Sequence, residues 1–181
     1  MLKKILAAIV ILVAAFAGYV ALQPDELHIE RQATISAAPP AVFKQVNDLH
    51  KWNDWSPWAK LDPDAKVGFA GPAAGKDAVF TWSGNEKIGE GRMTIVEARP
   101  DELVDIKVDF TKPFEATNKS TFALKPEGSQ TVVTWSMDAK QGFIGKAMCI
   151  ILNGKKTLSE EMDKGLANLK SVAEGTAPPA P

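Results

Sequence analysis

The chain has 181 residues, a formal net charge of -1 and one cysteine, Cys149. That length suffices for one domain with a substantial core. The near-neutral charge lacks the basic excess of a nucleic-acid binder, and a lone cysteine excludes an internal disulfide. Met148, Ile150 and Ile151 surround the cysteine, so it reads as a small buried hydrophobe and not as a nucleophile.

Residues 1–22 stand apart from the rest. Lys3 and Lys4 precede an unbroken apolar run from Ile5 to Leu22. At 1.5 Å per residue the run makes about 27 Å, just enough to cross a bilayer core. It is either a retained single-pass anchor or a signal peptide, since Ala15-Phe16-Ala17 has the small-x-small form of a cleavage site. The run continues through Leu22, past that site, which favours the anchor. Lys3 and Lys4 stay on the cytoplasmic side, so both readings put the remainder across the membrane: on the periplasmic side in a bacterium, or secreted after cleavage. Gln23 to Glu26 is a tether of at most about 14 Å, which would hold the domain against the headgroups.

From residue 27 the pattern is mostly strands. Leu27–Ile35 reads as the first. Pro39-Pro40 then opens a short helix with Val42, Phe43 and Val46 on its apolar side, and a second short helical piece covers Asp48 to Trp52. Trp52, Trp55 and Trp58 follow in a segment broken by Pro57 and Pro63. Six more strands are expected: Val67–Ala70, Ala78–Ser83, Ile88–Ala98, Leu103–Phe110, Glu115–Lys125 and Thr131–Asp138. Gly84-Asn85-Glu86-Lys87 makes a hairpin turn. Most of these strands alternate, with one apolar and one wet face, as in an antiparallel meander. Phe143 to Glu174 reads as one long amphipathic helix, with Gly154 marking a kink or break. Gly175 to Pro181 is a proline-alanine tail too poor in bulk to fold.

A twisted antiparallel sheet curls, and its concave face needs a cover. The long C-terminal helix is the expected cover. The fold class is thus α+β: about seven strands wrapped around one long helix, with two short helices after the first strand. Such a grip leaves an apolar pocket or a filled core. The wall candidates are Phe80 and Trp82, then Met93 and Ile95, then Ile106, Val108 and Phe110. Phe122, Val133, Trp135 and Met137 continue the wall, and Met148, Ile151 and Met162 come from the helix. Asn118 and Ser120 share the face of Phe122 and would orient a ligand carbonyl or hydroxyl, or else reach water. Trp52, Trp55 and Trp58 would form the pocket rim, or else staple the helical segment to the sheet.

Three stretches carry a resemblance. They are Asn47 to Trp58 (NDLHKWNDWSPW), Thr81-Trp82-Ser83-Gly84-Asn85 with Gly89-Glu90-Gly91, and Gly165 to Lys170 (GLANLK). With the element order, they resemble the START/Bet v 1-like helix-grip superfamily, often called SRPBCC, and within it the polyketide cyclase/dehydrase-like branch. The resemblance runs from Leu27 to Ala173. It implies a deep hydrophobic cavity between sheet and helix. Its members include lipid carriers, hormone binders, cyclases and chaperone activators, so it implies no single chemistry.

The residues themselves carry few signs of catalysis. His28 and His50 are too far apart to suggest a metal pair and read as surface or capping groups. Gly71 to Asp77 has the outline of a phosphate loop, but is one residue short between its glycines and has Asp77 where a hydroxyl is needed. Gly89-Glu90-Gly91 inside a strand pattern suggests a bend or close backbone packing. By alternation Asp105, Asp109 and Asp138 face outward, and Glu97 is the one acid sharing the inner parity of Met93 and Ile95. The sequence reading is a membrane-tethered, non-catalytic binding domain for a hydrophobic small molecule or lipid. An enzyme of cyclase or dehydratase type and a protein-interaction module are the alternatives. No cofactor, metal or nucleic-acid partner is implied, and the oligomeric state stays open.

Overall fold

The computed structural model describes residues 1–176. The part of the expected tail from residue 177 onward lies outside them. Helix α1 spans Leu2–Ala21 and is long and apolar enough to cross a membrane. Then come β1 (Glu26–Ile35), α2 (Pro39–Asn47), a 3-10 turn at Leu49–Lys51 and α3 (Trp52–Trp55). Strands β2 (Lys66–Ala70), β3 (Val79–Ser83), β4 (Glu90–Arg99), β5 (Leu103–Lys112), β6 (Ala116–Glu127) and β7 (Gln130–Lys140) complete the sheet. Helices α4 (Phe143–Ile151) and α5 (Gly154–Ala173) follow.

The seven strands form one antiparallel sheet in the order β1-β7-β6-β5-β4-β3-β2. This is the helix-grip architecture. Local chemistry explains the short elements on the inner face. Pro39 and Pro40 occupy the first turn of α2, where no amide hydrogen bond is lost. The Asp48 carboxylate accepts a bond from the His50 amide at 3.0 Å and so starts the 3-10 turn.

The single C-terminal helix expected from the sequence is two helices. Asn153 sits between them in the left-handed region, at φ 52 and ψ 39, and α4 turns away from the sheet there. A Cβ on Gly154 would meet the Cys149 sulfur at 3.2 Å, so the glycine permits the tight exchange. Cys149 is itself only half-buried, because α4 has left the core. The cover is also shared. α5 lies mainly along β1, whereas α2 packs on β5, β6 and β7.

α5 runs in the same direction as β1. Asp163 pairs with Arg31 at 3.3 Å, Lys170 donates to the Thr34 carbonyl at 2.8 Å, and the Ser36 amide donates to Glu174 at 2.6 Å. Register also fixes what lies at each end of the sheet. Glu26 faces Lys140, Asn118 faces Ala139, Phe110 faces Ala116, and Glu90 faces Lys112 and Ser83. The α1 junction, the β7–α4 link, the β5–β6 turn, the β3–β4 hairpin and the start of α5 therefore share one end. This is the α1 end.

The core centres on Trp135, which is fully buried. Its ring stacks on Phe122 with centroids 4.9 Å apart, and meets Trp55 and Trp58 edge-on at 6.0 and 5.9 Å. Its indole N–H donates to the Ser120 hydroxyl at 2.8 Å. α5 seats on this ring through Gly165, where an added Cβ would lie 2.7 Å from Trp135 and 3.1 Å from Pro57. Asn168, one turn later, donates to the Trp55 carbonyl at 3.1 Å.

The segment between α1 and β1 is tied down as well. The buried Lys146 of α4 donates to the Gln23 carbonyl at 2.9 Å and to the Asp25 carboxylate at 2.7 Å. Gln141 closes the same join, its amide donating to the Asp25 carbonyl at 2.7 Å.

Gly165→Ala should lower stability by about 1–3 kcal/mol through overpacking against a ring that cannot yield. Chemical denaturation checks this, and an unchanged midpoint would mean that α5 seats less closely. Four carboxyls among the described residues sit below their ordinary values: Asp25, Glu90 and Glu174 through hydrogen bonds from Lys146, Lys112 and Lys170, and Asp109, which burial raises, through hydrogen bonds from Thr117 and Lys107 that help outweigh it. Depressed carboxyl values stabilise the fold above the ordinary carboxylate range, and the gain is lost as pH falls through the depressed values. Thermal midpoints should therefore hold from neutral pH to that range and fall below it. Glu174→Gln should flatten the acid limb.

Candidate functional site

Between the sheet and the helices lies a cavity of about 230 Å3. Strands β3 to β7 supply Phe80, Trp82, Met93, Val108, Phe110, Asn118, Ser120, Trp135 and Met137 to its wall. Trp52, Trp58 and Ala59 close it from the helical side, with Leu158 of α5 and Lys87 and Ile88 of the β3–β4 hairpin. Several of these, Trp82, Phe110, Asn118 and Met137 among them, belong to the α1 half of the sheet, and Ile88 lies in the hairpin at that end.

The other half of the interior is filled. Ile95, Ile106, Phe122, Val133 and Met162, expected on the wall, are fully buried and lie behind it in solid core. Trp55 is 1% exposed and does not reach the cavity, so it is no rim residue; its N–H donates to the Gln45 carbonyl at 3.2 Å. Met148 and Ile151, also expected on the wall, do not reach the cavity. They sit on α4, 38% and 63% exposed, because the turn at Asn153 carries that helix off the sheet.

The aromatic wall is built with its polar edges satisfied. The Trp82 N–H donates to the Ile88 carbonyl at 3.0 Å, which ties the hairpin to the wall. Trp82 meets Phe110 edge-on at 5.6 Å and stacks near Phe80 at 6.2 Å. Gly91 makes room for it, since a Cβ there would lie 2.5 Å from the Trp82 ring and 2.6 Å from the Asp109 carbonyl oxygen. Close packing is thus the reason for this glycine. With the Trp82 and Trp135 indole donors already occupied, both rings offer the cavity apolar faces.

Polar groups on the lining are few. They are Asn118, the Ser120 hydroxyl that accepts from Trp135, and the exposed Lys87 at the mouth. Glu97, the acid expected at the inner parity, is on the surface beside Arg99 at 3.6 Å. A register shift between Ile95 and Glu97 reverses its face, and simple alternation misses such a bulge. Among the described residues no group of three or more His, Cys, Asp or Glu side chains is placed to hold a metal. A shallow depression of about 520 Å3 on the sheet's outer face is lined by charged groups such as His28, Lys107, Lys119 and Asp138. It lacks the aromatic wall.

Ala59, Lys87, Ile88 and Leu158 are lining residues that wall selection by strand alternation missed. Leu158 belongs to the apolar stripe of the C-terminal helix and was legible on that ground. The other three come from loops, where no periodicity points inward.

A family model described as "Polyketide cyclase / dehydrase and lipid transport" matches residues 26–174. The chain belongs to that family. This polyketide cyclase/dehydrase and lipid transport member also resembles solved structures at low identity. Protein CV1439 from Chromobacterium violaceum aligns with a TM-score of 0.59 at 13% identity, over 84% of this chain and 99% of that one. The di-domain ARO/CYC StfQ from the steffimycin biosynthetic pathway aligns at 0.60 and 15% identity, over 83% of this chain and 52% of that one. Ara h 8.0201 aligns at 0.56 and 12% identity, over 83% and 99%. Such likenesses speak to the fold alone. No curated protein matches the sequence.

Truncation separates the tryptophans. Trp55→Ala should cost about 3–5 kcal/mol as a core deletion, whereas Trp58→Ala, at a half-buried position, should cost less and enlarge the cavity. Urea unfolding of both variants checks the order; equal costs would place both side chains in the same environment.

Proposed function

We propose that this protein is a membrane-tethered, non-catalytic binding domain for a hydrophobic small molecule or one apolar chain of a lipid. The observation that carries the reading is an apolar, aromatic-walled cavity in the tether half of the sheet, the end at which the bilayer-length helix joins. Its volume is modest. Ligand pockets usually span about 300–1,000 Å3, while a 150 Å3 apolar cavity suffices for benzene. At about 230 Å3, the hollow suits a small ring system or a short stretch of acyl chain, with the rest of a larger ligand outside. Asn118 and Ser120 are the groups to orient a carbonyl or hydroxyl, since Ser120 accepts from Trp135 through one lone pair and keeps its O–H as a donor.

The lining also bears on the enzyme alternative. General acid–base catalysis uses a histidine or carboxylate within hydrogen-bond reach of the reacting atom. Lys87 is the one ionisable residue of the lining, and it stands exposed at the mouth. A binding role fits this wall better than proton transfer.

Native mass spectrometry of the full chain, released from mild detergent, should show a small apolar molecule bound. Leu158→Trp should fill the mouth and reduce uptake of a fluorescent fatty acid at least tenfold, with little change in thermal midpoint. Asn118→Leu should weaken a carbonyl-bearing probe by about fivefold, the worth of one hydrogen bond near 1 kcal/mol. Wild-type protein that emerges empty and takes up no probe would defeat the reading. Turnover of an aromatic polyketide-like substrate that Leu158→Trp abolishes would favour the enzyme.

A further inference from the structure

We propose that α4 lies in the membrane interface beside α1, as a second and separate contact with the bilayer. The inference rests on the reading above that α1 is inserted, and it adds what the domain does at the surface.

The starting observation is an apolar face with no protein over it. Ile144, Met148, Ile151 and Leu152 are 69%, 38%, 63% and 62% exposed. At 3.6 residues per turn they fall within an arc of about 100°. The opposite side holds Lys146, Ala147 and Ile150, which are turned toward the protein. Phe143 adds a 50% exposed ring at the start of the helix. Scattered apolar side chains on a surface are ordinary, but a continuous helical face of this kind marks a contact.

Four observations select a bilayer as the occupant. α4 touches α1, so its exposed apolar face lies beside the bilayer-length helix. The join is tied, because the buried Lys146 donates to both Gln23 and Asp25 and holds α4 beside the end of α1. The β5–β6 turn at the same sheet end carries a further exposed apolar side chain, Phe114, at 63%. Lys155 and Lys156 follow α4 directly and are exposed, where they can meet phosphate groups as interfacial helices favour. Seated this way, α4 would bring the end of the cavity lined by Lys87, Ile88 and Leu158 toward the headgroups.

The test uses full-length protein in phosphatidylcholine/phosphatidylglycerol vesicles, on a Cys149→Ser background with one nitroxide label at a time. Labels at Ile9→Cys, Ile144→Cys, Ile151→Cys and Lys125→Cys report collisions with oxygen, which concentrates in lipid, and with a water-soluble nickel complex. The oxygen-to-nickel ratio at Ile144 and Ile151 should exceed that at Lys125 several-fold, and Ile9 should read highest. If Ile9 reads as lipid while Ile144 and Ile151 read like Lys125, this inference falls and the anchor stands. If Ile9 also reads as water, both fall. Shielding of Ile144 and Ile151 from both reagents would mean that a protein surface, a second copy or another partner, covers the helix, and would likewise overturn the proposal.

Discussion

The structure turns on how near α5 comes to Trp135. A large indole on the middle of β7 and a helix seated on it are compatible only because residue 165 has no side chain. That single close approach brings the helix down on one half of the sheet. The same ring collects Phe122, Trp55 and Trp58 around it and uses Ser120 to satisfy its N–H. Burial of large aromatics supplies much of the driving force, and their edge-on geometry makes the arrangement specific.

The cavity is the other side of that arrangement. Where Trp55, Phe122 and Met162 gather, the interior is solid. Toward the α1 end the wall consists of Phe80, Trp82 and Phe110, held upright by the Gly91 backbone and by the bond from Trp82 to the hairpin. These rings line a space that they do not fill. Filling and hollowing are therefore segregated along the strands, with rigidity at one end and capacity at the other. Such a division lets one small domain keep a stable core and an adaptable apolar chamber together.

Much of this was legible in the residues. The alternation of Val104, Ile106 and Val108 against Asp105 and Lys107 placed β5, and the proline pair placed α2, because both follow from local periodicity and backbone chemistry. Selection of cavity residues from core residues was not legible. Phe80 and Phe122 have the same parity and the same character, and only the descent of α3 and α5 onto Trp135 decides which one faces space. Glu97 was misplaced by a bulge, which leaves no mark in an alternating pattern. Met148 and Ile151 were misplaced because a helical stripe looks the same whether protein or solvent faces it. The break was signalled by Gly154, but the turn itself is made by Asn153 in a left-handed conformation.

The join at Lys146 has a consequence for supply if the proposed membrane seat holds. A chamber held at the leaflet would be filled from a two-dimensional reservoir, so abundance among neighbouring lipids, and not concentration in the surrounding water, would govern its occupancy. A scarce but membrane-soluble compound would then compete on its mole fraction within the leaflet. The domain would sample the composition of the surface that carries it.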